Sequence, residues 1–503
     1  MKRGGRGLSV LMTAEGTYPY SLGGVSTWCD SLLRMTPEIR YTLLPLMMNP
    51  HIDYKYTVPA NVERVINVPL WGIEEPAEFI QEIPFGHLYV QKRLTSNAII
   101  EDRFRPLFIR FLDQVNQGGP DPETLGRTFI QMADYFQEAD YNTTFKSEVV
   151  WKTFQGAMET YGRNLHLASA IHHEQDVPSM FDITESLRWL YRFLIVLNAP
   201  IPRTSVSHST AAAFCGIPTI IAKLRYGTPM ILTEHGVYLR EQNLFLSRFK
   251  RLIFSKRFLL NLITAVSRAN YWFADVVAPV CLYNTRWERA HGVEPEKIRV
   301  IYNGVDPEHF SPGSRPDGPP LVVATARMDP LKDIETFLDM AALIHAERPE
   351  VRFTIFGSVA DPAYYKKCLA RRSSLRLEGI VTMGSPTSDV VSAYRSADVV
   401  ALTSVSEAFP YSVIEAMSCG RCVVASDVGG VREALEGCGV IVKPKDATGF
   451  AREILALLAN PAGREVMGAA ARARVLRDFT LEKSISGYRE LYEELALMGA
   501  KVA

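Results

Sequence analysis

The sequence has no long apolar run, no excess of either charge and no cysteine framework. Lys plus Arg number 55 and Asp plus Glu number 55 in 503 residues, a formal net charge of zero. The general electrostatic reason for binding nucleic acid is a basic excess, and it is missing. No stretch reaches the roughly 18 apolar residues that a membrane-spanning helix needs. The best candidate, 189–201, is broken by Arg192 and by proline. Seven cysteines, an odd and scattered set, do not read as a disulfide scaffold. Residues 1–7 are basic like the start of a signal peptide, but the apolar run 8–12 is too short for its hydrophobic region and soon meets Glu15. These features point to a soluble cytoplasmic protein. Apolar residues at 47% and charged residues at 22% match folded globular chains, and the length suggests roughly two to four domains.

Residues 8–13 read as a short buried strand, 14–24 as a Gly-, Pro- and Tyr-rich loop, and 25–35 as a helix. Residues 50–200 show helical stretches such as 124–138 and 186–197 with few strand signals, which predicts a mostly helical insertion. The pattern changes from 204, with a strand at 230–233 leading into Glu234-His235-Gly236. Residues 306–320 hold five prolines and two glycines in fifteen positions and read as a linker. Beyond it, strands at 321–326, 351–356, 380–383, 399–403 and 422–426 alternate with helices at 333–346, 363–371, 389–396, 411–418 and 431–435. Short apolar runs separated by helices imply a parallel sheet covered on both faces. Three more helices follow at 447–458, 463–478 and 482–497. The expected architecture is two α/β domains, 1–305 and 321–480, with a C-terminal helix at 481–503 packing back on the first. A cleft between two such domains is the default place for a ligand.

Two groups of residues carry chemistry. The segment 404–420 reads SVSEAFPYSVIEAMSCG. Glu407 follows a strand, Pro410 suits the first turn of a helix, and Glu415 lies within it. Eight residues at helical rise span about 12 Å, roughly the distance from the sugar to the ribose of a nucleotide sugar. Free amides at the helix start suit a diphosphate, and carboxylates suit diols. The plainer alternative is an acid favouring the helix dipole plus a solvated glutamate. In ARMDPLKD at 326–333, Arg327 and Lys332 bracket a strand end and a helix start. Cations are unfavourable there unless an anion is bound, so the pair suggests a phosphate clamp; a solvated turn paired with Asp329 and Asp333 is the alternative.

With these motifs in hand, the C-terminal half resembles the retaining glycosyltransferases of family 4, which have the GT-B fold. ARMDPLKD, the Glu407-x7-Glu415 pair, DVGGVREAL at 427–435 and IYNGVDPEHFSP at 301–312 carry the resemblance. TAEGTYPYSLGGVSTW at 13–28, TEHGVYLRE at 233–241 and the long insertion resemble the PelF subgroup of Pel exopolysaccharide glycosyltransferases. The resemblance implies a GT-B fold, with two Rossmann-like domains facing a cleft. It also implies a nucleotide-sugar donor, UDP-linked, and a glycan acceptor. Arg327 and Lys332 would hold the donor diphosphate, Glu407 the donor sugar and Glu415 the ribose hydroxyls. Backbone near Phe409, Pro410 and Tyr411 would serve the sugar, although Pro410 has no amide proton to donate. Amides of Ser412 and Val413 would serve phosphate, and the loop at Gly23 and Gly24 would close over the phosphates. His235 matches a histidine near the reacting bond, and His208 is expected to line the cleft. Gly357, Gly384 and the residues to Pro386 would border the base. Asn303 and Asp306 would shape a hinge. Inner-membrane polysaccharide synthase components are implied partners, and nucleic acid is not.

Other features weigh less. The CxxC at Cys419 and Cys422 closes a helix and opens a strand, where the helix dipole works against a thiolate, and no second CxxC completes a zinc site. His172, His173 and Glu174 lack HExxH spacing and read as polar surface. The stretch 242–274 has no Asp or Glu and interleaves Arg and Lys with Phe and Leu. It fits either a basic amphipathic helix contacting an anionic membrane peripherally or a core helix with a solvated basic face. No obvious nucleophile faces the sugar site, which suggests front-face substitution. No metal or cofactor is expected, because no Asp-x-Asp element sits where a metal would be needed. Sugar transfer is therefore expected to continue in EDTA; loss of activity that a divalent cation restores would contradict this.

Overall fold

The computed structural model describes residues 7–72, 80, 84–168, 177–247, 253–387 and 389–502. His172, His173 and Glu174 lie outside them, as do Arg248, Phe249, Lys250, Arg251 and Leu252 of the acid-free stretch. The chain forms two compact units. One comprises Met1–Pro279, Trp287–Arg299 and Arg489–Ala503; the other comprises Val280–Arg286 and Val300–Tyr488.

The first unit holds a parallel sheet of β1 (Ser9–Glu15), β2 (Arg40–Met47), β3 (Val62–Val65), β4 (Val68–Pro69), β5 (Val206–Ser209), β6 (Met230–Glu234) and β7 (Val276–Pro279). Its order is β3-β2-β1-β5-β6-β7, with β4 also pairing β2. The helical insertion therefore starts later than the expected residue 50, because β3 and β4 belong to the sheet. β3 carries exposed Glu63 and Arg64 on an edge, so it shows no apolar alternation to read.

Between β4 and β5 stand helices Phe85–Leu94, Arg105–Asn116, Pro122–Glu138, Glu148–Ala168 and Met180–Phe193. They enclose an aromatic core in which Phe104, Phe108, Phe111, Phe129, Phe136 and Phe154 are fully buried. That core is continuous with the helices Ile217–Tyr226 and Ile253–Phe273. The latter covers the described C-terminal part of the stretch 242–274. Phe254, Phe258, Leu262 and Ile263 point into the core, and Arg268 donates to the Gly118 carbonyl (3.0 Å). These four apolar side chains are spent inside the protein, whereas Phe245 and Trp272 remain exposed. Among the described residues no helix is long and apolar enough to cross a membrane.

The second unit holds β8 (Leu321–Thr325), β9 (Arg352–Phe356), β10 (Val381–Ser385), β11 (Val399–Leu402), β12 (Cys422–Ser426) and β13 (Val440–Val442). All pair in parallel in the order β10-β9-β8-β11-β12-β13. Alternate residues face opposite cores. Val322, Val399, Ala401, Cys422 and Val424 join one cluster, while Val323, Val400, Leu402, Val423 and Ala425 join the other. A strand buried on both faces must be apolar throughout, which is why these runs were continuous in the sequence. In both sheets the strand order reverses beside the first strand, at β1/β5 and at β8/β11. Ligands of open parallel sheets bind at the carboxyl ends around such a reversal.

The Pro/Gly-rich stretch 306–320 lies wholly within the second unit and is held there rather than serving as a free linker. Ser418 donates to the Phe310 carbonyl (2.8 Å), Arg395 to Ser311 (2.9 Å) and Arg421 to Gly313 (2.7 Å). Proline and glycine marked irregular backbone there, and side chains from neighbouring helices satisfy its carbonyls. The last helix, Leu481–Val502, begins in the second unit, and its residues from Arg489 onward belong to the first.

Candidate active site

In the second unit the expected residues gather at the β8/β11 reversal. Arg327 leaves the end of β8, Lys332 closes the short 3-10 turn Pro330–Lys332, and Glu407 lies on the loop after β11. Lys332 Nζ meets Glu407 Oε1 at 2.5 Å, and Ser404 Oγ donates to the same oxygen at 2.6 Å. The two loops are laced together beneath this pair. Val405 N–H donates to the Leu331 carbonyl (2.9 Å), and Thr403 Oγ1 lies 3.1 and 3.0 Å from the Lys332 and Asp333 carbonyls. Asp333 takes a left-handed conformation (φ 47°) to let the helix Ile334–Glu347 start. Arg327 is exposed and has no carboxylate partner among the described residues. One cation is thus held by Glu407 and the other stands open to an anion.

Glu415 sits in the helix Tyr411–Ser418. Tyr394, fully buried, donates to Glu415 Oε2 (2.7 Å), and Thr325 Oγ1 meets the same tyrosine hydroxyl at 2.6 Å. Burial pushes the Glu415 carboxyl up to about 7, against the lowering effect of the Tyr394 bond. Pro410 is the cap residue before the helix rather than part of its first turn. The Val413 amide donates to the Pro410 carbonyl (3.2 Å). Among the described residues the Ser412 amide meets no acceptor, so it is an open donor of this turn. Tyr411 is the first residue of the helix. Phe409 is buried against Tyr302 and Phe479, and its carbonyl accepts from Asn303 Nδ2 (3.0 Å). Asn303 therefore shapes the site loop, and Asp306 caps the turn at Glu308 (2.9 Å).

Several glycines act as spacers here. A Cβ on Gly429 (φ 56°) would fall 1.9 Å from the Glu407 carbonyl oxygen, and the Gly430 amide donates to the Ala408 carbonyl (2.6 Å). The Gly-Gly of DVGGVREAL thus backs the loop that carries Glu407. Gly357 abuts the Ala326 carbonyl in the same way (1.9 Å from an added Cβ). Gly384 (φ 84°) lies at a register shift of edge strand β10, where an added Cβ would strike the Tyr365 hydroxyl at 2.4 Å. It stands two strands from β8. Cys419 and Cys422 are buried free thiols that burial pushes up to about 11 and about 12, unsuited to redox work. Among the described residues no group of three or more His, Cys, Asp or Glu could hold a metal ion.

In the first unit Gly23 caps, and Gly24 begins, the helix Gly24–Met35, which has no side-chain cap and no acid in its first turn. Both glycines are exposed, and a Cβ added at Gly23 would meet open space. His235 follows β6 and packs edge-on against Trp28, ring centroids 4.5 Å apart. Burial pushes its imidazole down to about 3, so it is neutral at neutral pH, and its Nε2 has no hydrogen-bond partner among the described residues. Its neighbour Glu234 is anchored by the Tyr271 hydroxyl (2.6 Å). Glu15 accepts from the Tyr238 hydroxyl (2.9 Å) and the Cys215 amide (3.2 Å), joining the end of β1 to the loop after β6. His208 does not line a site. It is fully buried, with Nδ1 on the Tyr492 hydroxyl (2.6 Å) and Nε2 on Thr233 Oγ1 (2.7 Å). With both nitrogens used, it ties the last helix to β5 and β6. Tyr394, Ser404, Thr403 and Trp28 are the residues that sequence reasoning missed. Tyr394, Thr403 and Trp28 act on partners distant in the chain, which no local motif announces, whereas Ser404 acts on Glu407 three residues on.

Residues 8–296 match the family model described as domain of unknown function DUF3492, more than half of the chain. The chain belongs to the DUF3492 family. Residues 305–474 match the glycosyl transferases group 1 model, so the second unit carries a glycosyltransferase group 1 domain. Among curated relatives, a D-inositol 3-phosphate glycosyltransferase of Segniliparus rotundus is 33% identical over 239 residues, covering 44% of this chain and 53% of the relative. One of the same name from Kineococcus radiotolerans is 31% identical over 238 residues, covering 41% and 54%. The chain spans about half the length of the curated relatives it matches. Two solved structures share the fold: HepE of Anabaena with UDP and glucose (15% identity, 96% of this chain and 99% of that one, TM-score 0.60) and sucrose-phosphate synthase of Thermosynechococcus elongatus (18%, 97% and 99%, TM-score 0.59). The architecture is GT-B.

The Glu415 shift yields a pH prediction. Below about 7 the group is protonated, and above it a carboxylate can accept two ribose hydroxyls. Affinity for a nucleoside diphosphate should rise through that range in the wild type. In Glu415→Gln only the ligand's own phosphate titration should remain. Identical pH profiles, measured by calorimetry, would remove Glu415 from the ribose site.

Proposed function

We propose that this chain is a metal-independent, retaining glycosyltransferase of family 4. It would move a sugar from a UDP-linked donor to a glycan acceptor in exopolysaccharide synthesis. The observation that carries the reading is the cation set at the β8/β11 reversal. Arg327 is exposed and has no carboxylate partner among the described residues, and Lys332 is held at 2.5 Å by Glu407. A diphosphate supplies the anion this turn lacks, and the open Ser412 amide adds a donor to it.

In this reading Arg327 and Lys332 stabilise the charge that develops on the leaving diphosphate, and they do so without a metal. Glu407, already oriented by Lys332 and Ser404, accepts hydroxyls of the donor sugar through its remaining oxygen. Glu415 takes the ribose. The neutral His235 offers Nε2 to a sugar hydroxyl. The departing phosphate helps to remove the acceptor's proton on the same face, so configuration is kept without a covalent intermediate. Most of the rate would come from placement and preorganised charge. Resemblance at 13–28 and 233–241 supports the Pel-type role, beside inner-membrane polysaccharide synthase components and on the cytoplasmic side. HepE was crystallised with UDP and glucose, which supports the choice of donor base.

The names of the curated relatives favour a second reading, in which the acceptor is a small phosphorylated polyol. A non-catalytic nucleotide-sugar-binding subunit is a third; intact acids and cations weigh against it.

A melting-temperature panel of UDP, GDP and ADP, each free and as its glucose conjugate, tests the donor. Stabilisation should appear with the UDP compounds, by about 2.7 kcal/mol at a hundredfold excess over Kd. Arg327→Ala should lower turnover at least about tenfold, equivalent to about 1.4 kcal/mol of transition-state stabilisation. No shift with any of the six ligands would refute the reading. Binding without hydrolysis or transfer by the pure protein would favour the non-catalytic subunit.

A further inference from the structure

The first unit carries two pairs of tyrosines that the functional reading leaves unused. Tyr18 and Tyr20 lie on the loop after β1, and Tyr54 and Tyr56 lie on the segment after β2. The inner pair is buried, and each hydroxyl is fixed: Tyr18 donates to Asp30 (3.2 Å) and Tyr20 to Asn67 (2.5 Å). The outer pair packs on the inner pair, Tyr56 on Tyr18 with centroids 5.3 Å apart and Tyr54 on Tyr20 at 5.1 Å. The Lys55 amide donates to the Pro19 carbonyl (2.9 Å), which pins the two loops together. Tyr54 remains 47% exposed despite this support.

A lone exposed tyrosine needs no explanation. Here the exposed ring is held rigid by a second aromatic layer whose hydroxyls are themselves anchored. The group sits at the carboxyl ends of adjacent parallel strands, where such sheets bind ligands. It also adjoins the open start of the Gly24–Met35 helix, because Thr27 Oγ1 lies 3.4 Å from the Tyr56 hydroxyl. Asp53 and Lys55 flank the outer rings in sequence and supply polar groups at the rim. A rigid aromatic face with a polar rim suits one chemistry well. The face of a pyranose ring that carries C–H bonds is weakly positive and stacks on the negative face of an aromatic ring, while its hydroxyls find polar partners at the edge.

We propose that Tyr54 and Tyr56, backed by Tyr18 and Tyr20, form a subsite that stacks a sugar ring of the glycan acceptor. This deepens the glycosyltransferase reading and rests on it. The full chain is titrated with cellotetraose, maltotetraose and chitotetraose as probes, in wild type, Tyr54→Ala and Tyr54→Phe, with UDP titrated in each. At least one oligosaccharide should bind the wild type. Tyr54→Ala should weaken it about tenfold and Tyr54→Phe should retain it, because the ring and not the hydroxyl does the stacking. UDP affinity should be equal in all three proteins, which shows that each is folded. No binding of any of the three probes overturns the proposal, as does equal binding by Tyr54→Ala or equal loss in Tyr54→Phe. Self-association that Tyr54→Ala abolishes, with glycan binding unchanged, overturns it in favour of a protein contact. The nucleotide arm keeps the two readings apart. Wild type that binds no nucleotide contradicts the transferase, whereas unchanged glycan binding in Tyr54→Ala contradicts the subsite alone.

Discussion

The ion pair between Lys332 and Glu407 is the constraint around which the second unit is built. It joins loops 75 residues apart in the chain, with the side chains 22% and 11% exposed. An ion pair so placed is neither free nor fully desolvated, so its net contribution to stability is modest and its geometric role is large. Every contact below it serves that geometry. Thr403 and Val405 fix the backbone of the Lys332 turn, Ser404 orients the carboxylate, and Gly429 and Gly430 lie flat against the carbonyls of Glu407 and Ala408. Lys332 is balanced by Glu407, whereas Arg327 has no carboxylate partner among the described residues. Preorganised charge of this kind costs little at the moment of reaction.

Burial sets the protonation of the other groups. Glu415 is desolvated enough to hover near neutrality, yet Tyr394 and Thr325 keep it aimed. The two histidines of the first unit show how the same shift has two meanings. His208 and His235 are both pushed down to about 3 by burial. His208 spends both nitrogens on Tyr492 and Thr233 and is cement. His235 keeps Nε2 unbonded and can receive a hydroxyl.

Much of this was legible in the sequence. Strands buried on both faces announce themselves as continuous apolar runs, so five of the six strands of the second sheet were readable to within about two residues, while the three-residue edge strand β13 was too short to read. ARMDPLKD and the Glu407-x7-Glu415 pair were readable because their chemistry is compressed into short segments at strand ends. What stayed hidden depends on distant partners. Tyr394 looks like any core tyrosine until Glu415 is folded against it. His208 resembles a site residue because it lies near the end of β5, and only the last helix reveals its role. Proline and glycine at 306–320 signal irregular backbone but not the arginines that hold it down. The basic stretch 242–274 has a composition suited to a membrane surface, and only the helical insertion shows where its aromatic face goes. β3 was missed because an edge strand with charged residues lacks any period.

The central claim is that Lys332, held by Glu407, receives the donor's diphosphate. Calorimetric titration tests it most directly, with the nucleoside diphosphate that stabilises the protein best, in wild type, Lys332→Met, Glu407→Gln and the double variant. The account predicts that Lys332→Met weakens binding at least about tenfold, while Glu407→Gln, which frees the ammonium, binds as well as wild type or better; the double variant should match Lys332→Met. Equal affinity in wild type and Lys332→Met would contradict it.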